Sequence, residues 1–386
     1  MQNGDDLIDY KDLLADYNEE EHNQKAEDYF ATIADTSYLI TKPFYTTVGT
    51  PSLLGNFAAL IEASDLFMRC EVLDFATGSG WTARLIAQMG CNVTGVDISK
   101  SAISIADSAT KTFPLVGNAG SLNFDITSAL AEGKFENYFD RIIIMDAYHH
   151  LPKPQEALKL FFRILKPGGI LAMSEPGRFH SKTAPAQAEM RQYGVLERDF
   201  IIEEIETDAL ATGFVNVECG YFSPIPIFVG VKDFPSIFST HQKDVSKSIE
   251  NYMTNHNILR MRKPGDEVLD SRRGTSLSYK IDFKQKSTYL EVEIKNTGEA
   301  IWLPSGLEVG AVNIGISLVN SDDLISTIGI KFIDLSQDPV KPNQTRKIQI
   351  PIVELEALGS KFEIDVVVNG VIWMSNLGSR PLRIEI

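Results

Sequence analysis

Between Glu71 and Gly220, short apolar runs alternate with stretches of helical period, and no other feature restricts the possible folds as strongly. The runs are residues 71–75, 92–96, 141–145 and 169–174, with 215–220 and 226–231 as closing strands; helices are predicted over 81–89, 100–108 and 155–165. Strands that are apolar throughout need cover on both faces, and parallel neighbours need a crossover, usually a helix. The pattern therefore predicts an α/β fold built on a doubly wound parallel sheet.

At 386 residues the chain exceeds what one hydrophobic core of about 250 residues ordinarily supports, so two domains are expected. Residues 1–67 read as a helical leader that would pack over a cofactor site, and 68–235 as the α/β domain. Residues 236–275 read as a linker or interdomain helix, with helical character around 245–261. Beyond them, alternating segments at 276–283, 288–295, 312–319, 325–333, 346–353, 361–368 and 382–386 are separated by Asn, Gly and Pro turns, which predicts an all-β sandwich of immunoglobulin size over 276–386.

A formal net charge of −16 opposes nucleic acid and anionic lipid surfaces as partners. Cys70, Cys91 and Cys219 are scattered, and no histidine and carboxylate cluster has ligand spacing, so neither a disulfide framework nor a metal site is expected. The first residues lack the basic and apolar regions of an export signal, and no apolar run has membrane-spanning length; a cytoplasmic setting is the expectation. The oligomeric state is left open.

Asp74-Phe-Ala-Thr-Gly-Ser-Gly-Trp81 stands directly after a strand and directly before a helix. Glycine belongs where backbone turns sharply off a strand and approaches a ligand, so Gly78 and Gly80 suggest a cofactor loop. Asp97 ends the next strand, about 20 residues on, where a carboxylate can accept from the ribose hydroxyls of an adenosine-containing cofactor.

From about residue 68 to 220 this order resembles the class I S-adenosylmethionine-dependent methyltransferases. Residues 74–80 match that family's first motif, with Ala76 where many members have glycine. Asn123-Phe124-Asp125 resembles the segment whose Asp meets the adenine amine, residues 140–150 the fourth strand and its active-site edge, and Leu165-Lys-Pro-Gly-Gly169 the turn before strand five. The resemblance implies a Rossmann-like fold, S-adenosyl-L-methionine as cofactor, and Asp74, Ala76, Gly78, Gly80, Asp97, Ile98, Asp125 and Asp146 on the cofactor side.

Methyl transfer to a hydroxyl needs alignment and a proton acceptor, and histidine suits the second task. His149 and His150 follow strand four and His180 follows strand five, where ligands bind in open α/β sheets. His149 is the expected base, His180 the next candidate, and Glu175 the residue that orients a histidine or binds acceptor hydroxyls. Adjacent His149 and His150 are not expected to share one job. Tyr29, Phe30 and Tyr38 of the leader either close over the sulfonium or anchor the core. Trp302 and Trp373 either anchor the sandwich or stack on a sugar, and the Asn-Thr-Gly-x-x-x-Trp pattern at 296–302 resembles accessory domains of bacterial glycan-modifying enzymes. The expected acceptor is thus a small polar molecule, a saccharide first. Methylation of nitrogen or carbon on a natural-product intermediate, and a non-catalytic scaffold with a binding sandwich, are the alternatives.

Overall fold

A computed structural model describes residues 7–221, 226, 228, 230–236, 239, 242–320, 324–325 and 330–386. The chain divides into two compact units, one of residues 1–66 and 70–267 and the other of 67–69 and 268–386.

The first unit is built on a seven-stranded sheet of β1 (Glu71–Phe75), β2 (Asn92–Asp97), β3 (Leu122–Ile126), β4 (Phe139–Met145), β5 (Leu165–Pro176), β6 (Val215–Gly220) and β7 (His256–Arg262), in the order β3-β2-β1-β4-β5-β7-β6. The first five strands run parallel. β7 is antiparallel to both β5 and β6. Ile142, Ile143 and Ile144 of β4 are all fully buried, as expected of a strand covered on both faces. Helices Trp81–Gln88, Lys100–Thr112 and Pro154–Ile164 supply the crossovers. Their starts are legible locally: Ser99 caps Lys100–Thr112 by accepting from Ala102 N at 3.0 Å, and Pro154 occupies the first turn of its own helix. The strand order leaves β1 in opposite directions, so the crevice beyond the carboxyl ends of β1 and β4 is the natural ligand site.

Three expected elements change. Of the expected strand 325–333, residues 326–329 lie outside the described residues and only residues 331–333 stand in a strand, Lys331–Asp334. Residues 256–262, expected as linker or helix, form β7, because a short run such as Ile258-Leu259-Arg260-Met261 fits either period and the open edge of β5 takes it as a strand. Of the expected strand 226–231, Ile227 and Val229 lie outside the described residues, and Pro226, Phe228 and Gly230 stand in no strand.

The second unit holds β8 (Tyr279–Gln285), β9 (Tyr289–Asn296), β10 (Val312–Leu318), β11 (Lys331–Asp334), β12 (Thr345–Pro351), β13 (Lys361–Val368), β14 (Ile372–Trp373) and β15 (Leu382–Glu385). One antiparallel sheet is β12-β9-β8; the other is β11-β10-β13-β14, with β15 also on β13. Leu290, Val292 and Ile294 of the first sheet share one core with Ile314, Ile364 and Val366 of the second. Trp302 is fully buried in that core and serves packing, while the half-buried Trp373 ring lies against Gly315.

Candidate active site

The loop after β1 is held by its own side chains. Asp74, expected on the cofactor side, is buried and accepts from the Thr77 and Thr82 hydroxyls, each at 2.6 Å, tying the loop to the next helix. Burial pushes its carboxyl up to about 6, against the two hydroxyl donors. Ala76 has φ 55°, the left-handed region that glycine adopts most cheaply.

The two loop glycines have different work. At Gly78, φ 53°, an added Cβ would meet only Phe30 Cζ at 3.6 Å, so backbone can approach a ligand there. At Gly80, φ 70°, a Cβ would stand 2.6 Å from Phe124 Cζ and 2.8 Å from Ala106 Cβ, so this glycine permits close packing instead.

Asp97 ends β2 with its side chain turned back to the loop, accepting from Gly78 N at 2.8 Å and from Ser99 N at 2.9 Å. The Ile98 N–H adds a third donor. A carboxylate offers about four acceptor positions, so Asp97 keeps room for about one more donor, not both ribose hydroxyls. Ile98 is exposed beside it. Asp125, at the end of β3, pairs with Lys134 at 3.9 Å on an open surface. Above the loop lies the leader helix Glu19–Ala31. Glu27 accepts from Ser99 Oγ at 2.6 Å, Ser101 Oγ at 2.6 Å and Ser101 N at 3.2 Å. Its Phe30 ring stands at the edge of the space beside Gly78, with Cζ 3.6 Å from where a Cβ would be, whereas Tyr29 packs edge-on against Tyr193. Glu27 was not legible beforehand, being one of several acids on a polar helix.

At the carboxyl ends of β4 and β5 a second group converges. Glu175 is fully buried and accepts from the backbone N–H groups of Ala147 and Tyr148 at 2.9 Å each and of His149 at 3.3 Å. A carboxylate only accepts, so His149 Nδ1, 2.7 Å from Glu175 Oε2, carries the proton. His149 Nε2 then faces Glu197 Oε2 at 3.5 Å, and His180 Nε2 approaches the same oxygen to 2.6 Å. Burial alone would lower the His149 pKa, but hydrogen bonds and charge from Glu175 and Glu197 outweigh it and hold it well above the ordinary value. A buried imidazole that stays protonated cannot take a proton from an acceptor, so His149 is not placed as the base expected of it. His150 Nδ1 donates to Leu196 O at 2.6 Å, and the surrounding protein, with the neighbouring His149 charge, holds this half-buried imidazole below its ordinary value. Sequence spacing gave no sign of Glu197, which reaches this cluster from a loop 22 residues beyond Glu175.

Asp146 differs from its neighbours. It has φ 52°, is exposed to solvent, and its N–H donates to Ser174 O at 2.8 Å. Surrounding protein, with the Glu175 charge adding, pushes its carboxyl up to about 6 against His149, Lys42 and His180. The residue assigned by resemblance to the cofactor side is thus an accessible, weakly basic carboxylate facing the crevice. Lys42 and Glu189 enter the same electrostatic environment from the leader and from helix Ala184–Tyr193; neither carried a sequence signal.

A parallel sheet with a glycine turn after β1 and a buried acid ending β2 defines a Rossmann-like domain of the nucleoside-cofactor type. Residues 73–173 match the methyltransferase domain family. Phosphoethanolamine N-methyltransferase 2 of Caenorhabditis elegans is 28% identical over 165 residues, 40% of this chain and 34% of that protein. A ubiquinone biosynthesis O-methyltransferase of Coxiella burnetii is 33% identical over 108 residues, 28% of this chain and 44% of the relative. Among solved structures, the Haemonchus contortus phosphoethanolamine N-methyltransferase 2 in complex with S-adenosyl-L-methionine gives a TM-score of 0.42 at 22% identity, covering 67% of this chain and 61% of that one. The chain spans less than half the length of these two curated relatives. It carries a methyltransferase domain of the S-adenosylmethionine-dependent kind. The uncovered Gly78 backbone and the remaining acceptor position on Asp97 fit that cofactor. Among the described residues no helix is long and apolar enough to cross a membrane.

Proposed function

We propose that this protein methylates a hydroxyl of a small polar acceptor, with Asp146 taking the hydroxyl proton. One observation carries the reading: Asp146 is an accessible carboxylate at the carboxyl end of β4, raised to about 6 and so mostly ionised yet more basic than an ordinary carboxylate at neutral pH. S-adenosylmethionine supplies the methyl group and leaves as S-adenosylhomocysteine. Gly78 and Asp97 would hold its adenosine end, while Lys42, His149 and His180 keep Asp146 charged before it takes the proton. The finer idea of a saccharide acceptor loses the support of Trp302, which is buried in the core of the second unit. A second reading, an amine acceptor, is favoured by the accessible carboxylate of Asp146 at the carboxyl end of β4, which could hold a cationic acceptor.

Release of S-adenosylhomocysteine from labelled donor, measured against panels of sugars, other alcohols and amines, tests these readings together. Turnover of alcohols that collapses in Asp146→Asn supports the proposal. Turnover of amines alone selects the second reading, and no binding of S-adenosylmethionine by calorimetry would return the chain to a scaffold.

A further inference from the structure

We propose that His149, His150 and Glu197 form a binding site for one divalent first-row transition-metal ion, with one nitrogen from each imidazole and a carboxylate oxygen as ligands. The three donor atoms lie within 4.8 Å of one another. The His149 Nε2 to Glu197 Oε2 and His150 Nδ1 to Glu197 Oε1 separations are both 3.5 Å. Ligands about 2.0–2.1 Å from a tetrahedral ion stand about 3.4 Å apart, so both histidine-to-carboxylate separations already match, and the two imidazole nitrogens have at most 4.8 Å to close from. Binding releases the Nε2 proton of His149 to solvent and moves the His150 proton, which donates from Nδ1 to Leu196 O at 2.6 Å, to Nε2.

The surroundings of the cluster point the same way. Glu197 Oε1 is buried and meets no hydrogen-bond partner in good geometry among the described residues, with the Glu189 carboxyl beside this carboxylate, so a cation would satisfy the oxygen and offset the crowding of acids. The other oxygen of that carboxylate is held by His180 Nε2 at 2.6 Å, which fixes its orientation. His149 donates Nδ1–H to Glu175 at 2.7 Å, the carboxylate-to-histidine support that metal-bound imidazoles commonly have. The side chains of His149 and Glu197 are 4% and 3% exposed while that of His150 is 39% exposed, so the cluster is walled on one side and open on the other. Two nitrogens and one oxygen suit manganese to zinc better than calcium or magnesium, which prefer oxygen ligands throughout. Three protein ligands leave at least one position for water or for an acceptor oxygen. The inference does not depend on methyl transfer, since its test uses neither donor nor acceptor.

The full chain, stripped with a chelator and dialysed, is titrated with Co(II) while the visible d–d absorption is recorded, then challenged with Zn(II). Saturable binding of one ion per chain is expected, displaced by Zn(II) and weakened about tenfold or more in His150→Ala and in Glu197→Gln. His22→Ala, in the leader helix, should bind as the parent does. His150 is partly exposed, so its variant should fold even where Glu197→Gln does not, and circular dichroism verifies this. No saturable Co(II) binding by the parent, or unchanged binding by folded His150→Ala, overturns the proposal and leaves the cluster as an ion-pair network.

Discussion

His149 joins two carboxylates from different parts of the chain, donating Nδ1–H to Glu175 Oε2 at 2.7 Å and presenting Nε2 to Glu197 Oε2 at 3.5 Å. Because Glu175 also accepts three backbone N–H groups of residues 147–149, the pair fixes the whole turn after β4.

Glu175→Ala should therefore be among the most destabilising single changes in the first unit. Breaking a buried charge pair by removing one partner costs about 3–5 kcal/mol, and the stranded N–H groups add to this. Denaturant unfolding against the parent measures it; a loss below about 1 kcal/mol would show that water replaces the carboxylate.

The loop glycines should separate by phenotype. Gly80→Ala puts an L-residue in the left-handed region at about 1–2 kcal/mol and overpacks Phe124 and Ala106 at about 1–3 kcal/mol more. Gly78→Ala carries only the first cost but should weaken S-adenosylhomocysteine binding, because the Cβ occupies the open side of the loop. Thermal melts and calorimetry on both variants make the comparison.

Asp97→Ala should reduce affinity for S-adenosylhomocysteine by about tenfold or more, since a hydrogen bond to a charged group contributes about 1.5–3 kcal/mol. It should also lower stability, because Gly78 N and Ser99 N lose their acceptor. Calorimetry on folded protein that shows unchanged affinity would place the ribose elsewhere.

Turnover should rise with pH through about 6. The carboxyl of Asp146 is raised to about 6, so above that pH it is ionised and able to accept a proton; below it the protonated form cannot. The groups facing it are Glu175, His149, Lys42 and His180, with Tyr252 also within its field. Asp146→Asn should remove this limb and lower kcat by about 10² to 10⁴. A pH–rate profile of kcat with the best acceptor decides, and an acid limb that survives in Asp146→Asn would assign the base to another group.

What the sequence by itself determined is local and periodic. Apolar runs and helical spacing placed β1, β2, β4, β5 and β6, because burial on both faces leaves its mark on every residue of a strand such as Ile142–Ile144; β3, with little of that burial, was reached only through the family resemblance. The glycine turn and Asp97 were legible because a sharp turn and a strand-end acid depend on neighbours along the chain. Tertiary structure decided the rest. The segment His256–Arg262 became a strand only because β5 offered an unpaired edge, and Gly80 proved to be a packing glycine only once Phe124 stood against it. His149 looked like a base from its place after β4, yet Glu197, which no spacing rule links to it, arrives from a distant loop and holds it charged. A side chain's protonation follows from the charges and burial around it, and those are set by contacts between segments that are far apart in sequence.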